Sequence, residues 1–143
     1  MRPDRVLLVD DEESFVEILA ERMRSRGLEV SCATSGREAL KKAQEAAYDA
    51  VVLDLAMPGL DGIETLRRMR ELQPDLQVMI LSGRATVKTA VEAIQLGAID
   101  IFEKPTEVEI LVERIRSARA ARLAKDDQET REQIDAIMRD RGW

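Results

Sequence analysis

Histidine is absent from this 143-residue chain, and cysteine occurs once, at Cys32. Without histidine there is no histidine-based triad, no imidazole metal site and no phosphohistidine carrier. A single thiol cannot close an intramolecular disulfide or build a thiolate zinc cluster. No apolar run approaches the roughly 18–20 residues of a membrane span. The opening Met1-Arg2-Pro3-Asp4-Arg5 leads to only four apolar residues before two aspartates, which is not the pattern of a signal peptide. Positive charge is in deficit: 22 basic against 28 acidic residues leave a net charge of −6. That balance opposes non-specific attraction to nucleic acid or anionic membrane. A cytoplasmic chain with neither partner is expected.

What is present suits one compact domain. Hydrophobic residues make up 45% and charged residues 35%, and a chain of this length buries roughly two-thirds of its unfolded surface. Short aliphatic runs alternate with longer amphipathic stretches. Val6–Val9, Ala50–Leu53 and Val78–Leu81 are continuous apolar runs, expected for strands covered on both faces. Leu28–Ala33 and Ile99–Phe102 read as two further strands. Between them lie helical stripes: Phe15, Ile18, Leu19 and Met23 ahead of Gly27; Ala39, Leu40 and Ala43 behind a Ser35–Glu38 capping box. Ile63, Leu66 and Met69 follow a Pro58-Gly59 turn, and Val87, Ala90, Val91 and Ile94 precede Gly97. A last helix carries Val108, Leu111, Val112 and Ile115. Five strand–helix pairs in strict alternation predict a parallel α/β sheet with helices on both faces. Residues 123–143 hold ten charged residues and a sparse apolar stripe of Ile134, Ile137 and Met138. They read either as a helical extension or interaction tail, or as a solvated, frayed helix.

In an open parallel sheet, ligand chemistry lies beyond the carboxyl ends of the strands. The first strand ends in Asp10-Asp11-Glu12-Glu13, the third in Asp54, the fourth in Ser82-Gly83 and the fifth in Lys104-Pro105. The gaps of 44, 28 and 22 residues equal two, one and one strand–helix steps, so these ends can meet at one edge. Taken singly, each residue has a plainer reading. Asp10 and Asp11 suit a helix cap, Asp54 a turn, Ser82 a cap and Lys104 a solvated loop. Together they place three carboxylates, a hydroxyl and a lysine at one predicted edge. Oxygen donors without nitrogen or sulfur suit a hard ion such as Mg²⁺. A carboxylate beside such an ion and a lysine can act as nucleophile toward phosphorus, giving an acyl phosphate.

The ordered set resembles the receiver domain of bacterial two-component response regulators, from Arg5 to about Arg119. It comprises Asp10-Asp11, Asp54 with Met57-Pro58-Gly59-Leu60-Asp61-Gly62, Leu81-Ser82-Gly83, and Leu96-Gly97-Ala98 leading to Lys104-Pro105. The resemblance implies a flavodoxin-like, doubly wound five-stranded parallel sheet of order 2-1-3-4-5. It implies a receiver over residues 1–122, followed by a charged helical tail over 123–143. Asp54 would be the phospho-acceptor, served by a sensor histidine kinase or phosphotransfer protein. Asp11, Asp54 and the backbone carbonyl of Ala56 would hold Mg²⁺, with Asp10 in the outer shell. Lys104 would pair with Asp54 and then with phosphoryl oxygen, and Ser82 would bond to the phosphoryl group. The Lys104–Pro105 peptide is expected to be cis, aiming the lysine inward.

Two positions bear on output and lifetime. The family often has an aromatic three residues before the lysine, where this chain has Ile101. Phe102 is one residue later and should face the other way, so output is expected to run through Ser82, Gly83 and the following helix. Arg84 and Ala56 occupy positions that tune acyl-phosphate hydrolysis in the family, although Arg84 also reads as a surface cation.

The expected module assists its own phosphorylation and dephosphorylation, turns over no external metabolite, and passes its signal to a downstream protein or output domain. Many receivers pair through their fourth and fifth helices, which leaves a homodimer open here. A phosphorylation-independent binding module of the same fold is the main alternative. An aspartate-nucleophile phosphatase would want an acid at Ala56, and a flavodoxin-like nucleotide binder would want phosphate-cradling amides where four acids stand.

Overall fold

The computed structural model describes residues 2–57, 61–83 and 86–142. Pro58, Gly59, Leu60 and Arg84 lie outside the described residues. Strands and helices alternate throughout: β1 (Arg5–Val9), α1 (Glu13–Arg24), β2 (Glu29–Ala33), α2 (Gly36–Glu45) and β3 (Ala50–Leu53). They continue as α3 (Gly62–Leu72), β4 (Val78–Ser82), α4 (Val87–Gln95), β5 (Asp100–Glu103) and α5 (Val108–Asp140). All neighbouring strands pair in parallel, in the order β2-β1-β3-β4-β5. This is the five-stranded order that the resemblance implied.

Strand side chains alternate between two cores, because successive residues point to opposite faces. Leu7, Val9, Val51, Leu53, Val78 and Ile80 join one cluster, with Ala39, Leu66, Met69 and Ala93 from α2, α3 and α4. Val6, Leu8, Val52, Met79 and Leu81 join the other, with Leu19, Met23, Leu111 and Ile115 from α1 and α5. Ile101 packs against the first cluster and Phe102 against the second, so the two face opposite ways.

Two helices differ from their sequence patterns. Val16, Leu19, Ala20 and Met23 form the buried face of α1, while Ile18 is 52% exposed. The i, i+3, i+4, i+7 set begins at Val16, and Ile18 stands two residues, about 200°, round the helix from it. In α4 the buried residue is Ala93, while Val87, Val91 and Ile94 face outward. Ala93 joins the core from α4, and the larger side chains of this helix stand in water.

Helix α5 is continuous over 33 residues, but its buried positions all lie between Val108 and Ala118. Among the described residues, no helix is long and apolar enough to cross a membrane.

Candidate functional site

Sheet register brings the polar strand ends together. Val9 stands beside Leu53, and Leu53 beside Ile80, so the residues that follow emerge side by side at one edge. The Asp10 amide donates to the Ala33 carbonyl at 3.1 Å, and the Asp54 amide donates to the Val9 carbonyl at 2.9 Å. Both aspartates are buried, at 4% and 6% exposure. Each is fixed by a nearby amide: Glu12 N–H donates to Asp10 Oδ1 at 3.0 Å, and Ala56 N–H to Asp54 Oδ1 at 3.2 Å. Asp11 is exposed, yet one oxygen from each of Asp10, Asp11 and Asp54 lies within 4.8 Å of the others.

The plainer single-residue readings hold only in part: the Ala56 bond is the turn contact expected of Asp54, while the other residues depart from theirs. Glu12 is the residue capping α1, with no side-chain cap bond, so neither Asp10 nor Asp11 occupies that position. Ser82 is fully buried at the end of β4, and its carbonyl accepts from the Lys104 amide at 3.1 Å. Lys104 is no solvated loop cation, since its side chain is only 16% exposed. Its ammonium donates to Asp10 Oδ2 and lies 3.9 Å from Asp54 Oδ2. In this arrangement the lysine rests on Asp10, with Asp54 one short movement away. The Lys104–Pro105 peptide is cis.

Above these groups opens a cleft of about 410 Å³ lined by Asp11, Glu12, Asp54, Ala56, Gly83 and Lys104. Three carboxyl groups share it with one ammonium, a set that attracts a further cation. The donors are oxygen atoms, as a hard divalent ion requires. Spacings under 4.8 Å are close to what opposed ligands about 2.1 Å from Mg²⁺ would show. The residues therefore fit the ion.

Two residues to which the sequence pattern gave no role also shape the site. Phe15, placed by its spacing in the inward stripe of α1, lies with its ring centroid 4.3 Å from Lys104 Nζ. Gly62 opens α3 directly against the segment that follows β3, where a Cβ would stand 2.3 Å from Leu55 Cα and 2.4 Å from the Asp54 carbonyl oxygen. Any larger residue would push α3 away from the backbone that carries Asp54. The preceding Asp61 caps that helix, its carboxylate accepting from the Glu64 amide at 2.8 Å.

A doubly wound parallel sheet with an acidic trio and a lysine at its carboxyl edge defines a signalling module of the receiver class. The response regulator receiver domain family matches residues 6–116, and the chain belongs to it. It is 40% identical over 113 residues to the transcriptional regulatory protein PrrA of Mycobacterium leprae, covering 79% of this chain and 48% of that protein. It is 38% identical over 115 residues to the transcriptional regulatory protein ZraR of Escherichia coli, covering 80% of this chain and 26% of that one. The chain thus spans half or less of these relatives' lengths. The crystal structure of a CheY-like receiver domain protein from Methanospirillum hungatei superposes with a TM-score of 0.83 at 24% identity. That likeness covers 86% of this chain and 98% of the other, and concerns the fold. Receiver domains interact with histidine kinases, and they typically bind Mg²⁺.

Proposed function

We propose that the chain is a phosphoryl-accepting receiver in which Asp54 is modified and the modification alters partner binding. The observation that carries this reading is the trio Asp10, Asp11 and Asp54, gathered within 4.8 Å beside the Lys104 ammonium. Asp11, Asp54 and the Ala56 carbonyl would hold Mg²⁺ directly, and Asp10 would steady its outer shell. When bound, the ion supplies positive charge to the phosphoryl oxygens.

The chain's own residues do the rest. An Asp54 carboxylate oxygen attacks phosphorus, and the bond from phosphorus to the donor's imidazole nitrogen breaks. The electron pair returns to that nitrogen, leaving an acyl phosphate on Asp54. Lys104 moves from Asp10 to the incoming phosphoryl oxygen, and the Ser82 hydroxyl bonds another oxygen. Positioning and charge neutralisation suffice for this transfer. Water attack on the same phosphorus later restores Asp54, so the module assists its own dephosphorylation.

Residues 1–122 form the receiver unit and 123–143 the tail. The donor is a sensor histidine kinase or phosphotransfer protein, and the output is a protein partner or attached domain. This chain itself makes no direct contact with nucleic acid.

Incubation with acetyl phosphate and Mg²⁺, followed by intact-mass measurement, tests the reading. One added phosphoryl group is expected, lost in Asp54→Asn and lost again when EDTA removes the metal. A folded protein that gains nothing would be a phosphorylation-independent binding module.

A further inference from the structure

Lys104 must leave one carboxylate and reach another oxygen, so what holds its ammonium meanwhile matters. Three groups surround it. Asp10 accepts a hydrogen bond, Asp54 Oδ2 stands at 3.9 Å, and the Phe15 ring centroid at 4.3 Å. Asp54 is beyond hydrogen-bond reach, so two of these are attractions without a directed bond. The lysine stem passes Gly83, where a Cβ would make ordinary van der Waals contact at 3.7 Å from Lys104 Cβ and 3.8 Å from Cδ.

We propose that Phe15 is a positioning residue for Lys104, its ring holding the ammonium between Asp10 and Asp54 ready for the phosphoryl oxygen. The proposal rests on the phospho-acceptor reading of Asp54 and deepens it. The negative face of an aromatic ring attracts a cation without accepting a directed hydrogen bond. The donors not engaged by Asp10 therefore stay free for a new oxygen. A carboxylate in this place would compete for those donors, and an aliphatic side chain would offer no comparable attraction.

Placement and surroundings support the role. Phe15 sits in the first turn of α1, half-buried, two residues after the acidic run. Beside it, Phe15, Leu8 and Leu81 line a space of about 10 Å³ that also reaches Asp10 and Asp54. A space that small holds one water at most, so little water fits between the ring and the two carboxylates on that side. Cation–ring attraction is larger where water is excluded.

The initial rate of Asp54 phosphorylation by acetyl phosphate and Mg²⁺, followed by intact mass, tests this in the wild type and its variants. Phe15→Leu is expected to slow the reaction about threefold to thirtyfold, and Phe15→Tyr to restore it. In a Lys104→Ala background, Phe15→Leu is expected to change the rate by less than about twofold, because the ring acts through the lysine. Proton NMR gives a second readout. Lys104 ε-methylene signals, shielded by the ring, should move downfield in Phe15→Leu while amide signals remote from the site stay in place.

If the wild-type protein takes no phosphoryl group, the phospho-acceptor reading fails and this one with it. If the wild type is modified but Phe15→Leu keeps its rate, the positioning role alone is overturned. It is overturned equally if Phe15→Leu slows the reaction to the same extent without the lysine, or if the ε-methylene signals do not move.

Discussion

Asp49 shows how one residue at the far end of the sheet ties the chain start to the core. It is 5% exposed, and its carboxylate accepts from Arg2 Nη1 and Nη2 at 2.7 and 2.9 Å and from the Arg5 amide at 2.8 Å. Arg119 on α5 adds a guanidinium nitrogen at 3.9 Å. Burial alone would raise the carboxyl pKa, but the hydrogen bonds from Arg2 and the Arg5 amide and the charges of Arg2 and Arg119 outweigh it, and the net direction is down. A depressed folded value stabilises the protein above the unfolded value of about 3.9 and loses that contribution as pH falls through the folded value. Asp49→Asn should therefore lower stability by about 2 kcal/mol at pH 7. Urea midpoints should show the difference narrowing below about pH 4. A gap independent of pH would contradict the assignment.

At the scale of elements, the inner strands were readable because both their faces are covered, which leaves uninterrupted aliphatic runs. Edge strand β2 differs, with an exposed Glu29 and half-buried Val30, Ser31 and Cys32. Its outward carbonyls are occupied instead: Arg24 donates to Val30 at 2.7 Å, and Lys42 donates to Cys32. Cations from α1 and α2 thus blunt an edge that could pair with another chain. Helix spacing located α1 and α4 but not their faces. Ile18 and Val91 are as apolar as the buried positions, and only the neighbouring elements decide which side is covered.

The same limit applies to α5, where helical pattern and burial part company after Ala118. Exposed i, i+4 pairs such as Lys125–Glu129 and Asp127–Arg131 accompany that segment and contribute little each. Ending the chain at Arg122 is expected to change the urea-derived stability by less than about 1 kcal/mol. A larger loss would show that residues 123–143 belong to the folded receiver.

For the whole molecule, the meeting of Asp10, Asp11, Asp54, Ser82 and Lys104 was legible because parallel strands all deliver their ends to one edge. Counting strand–helix steps was enough to predict it. What counting could not reveal was contact between neighbours within that edge. The spacing that brings Phe15 under Lys104 is also that of an ordinary core residue, and Gly62, although part of the family motif, carries no sign of the backbone it approaches. Likewise, nothing in the order of residues distinguishes a lysine resting on Asp10 from one resting on Asp54.

The proposed function turns on Asp54, among three crowded carboxylates, being the one that captures phosphorus. Borohydride reduces an aspartyl phosphate to homoserine, releasing phosphate, and leaves free carboxylates unchanged. Peptide mapping of protein treated with acetyl phosphate and Mg²⁺ and then reduced should find homoserine at position 54 and unmodified Asp10 and Asp11. Homoserine at Asp10 or Asp11, or at none of the three in a folded protein, would contradict it.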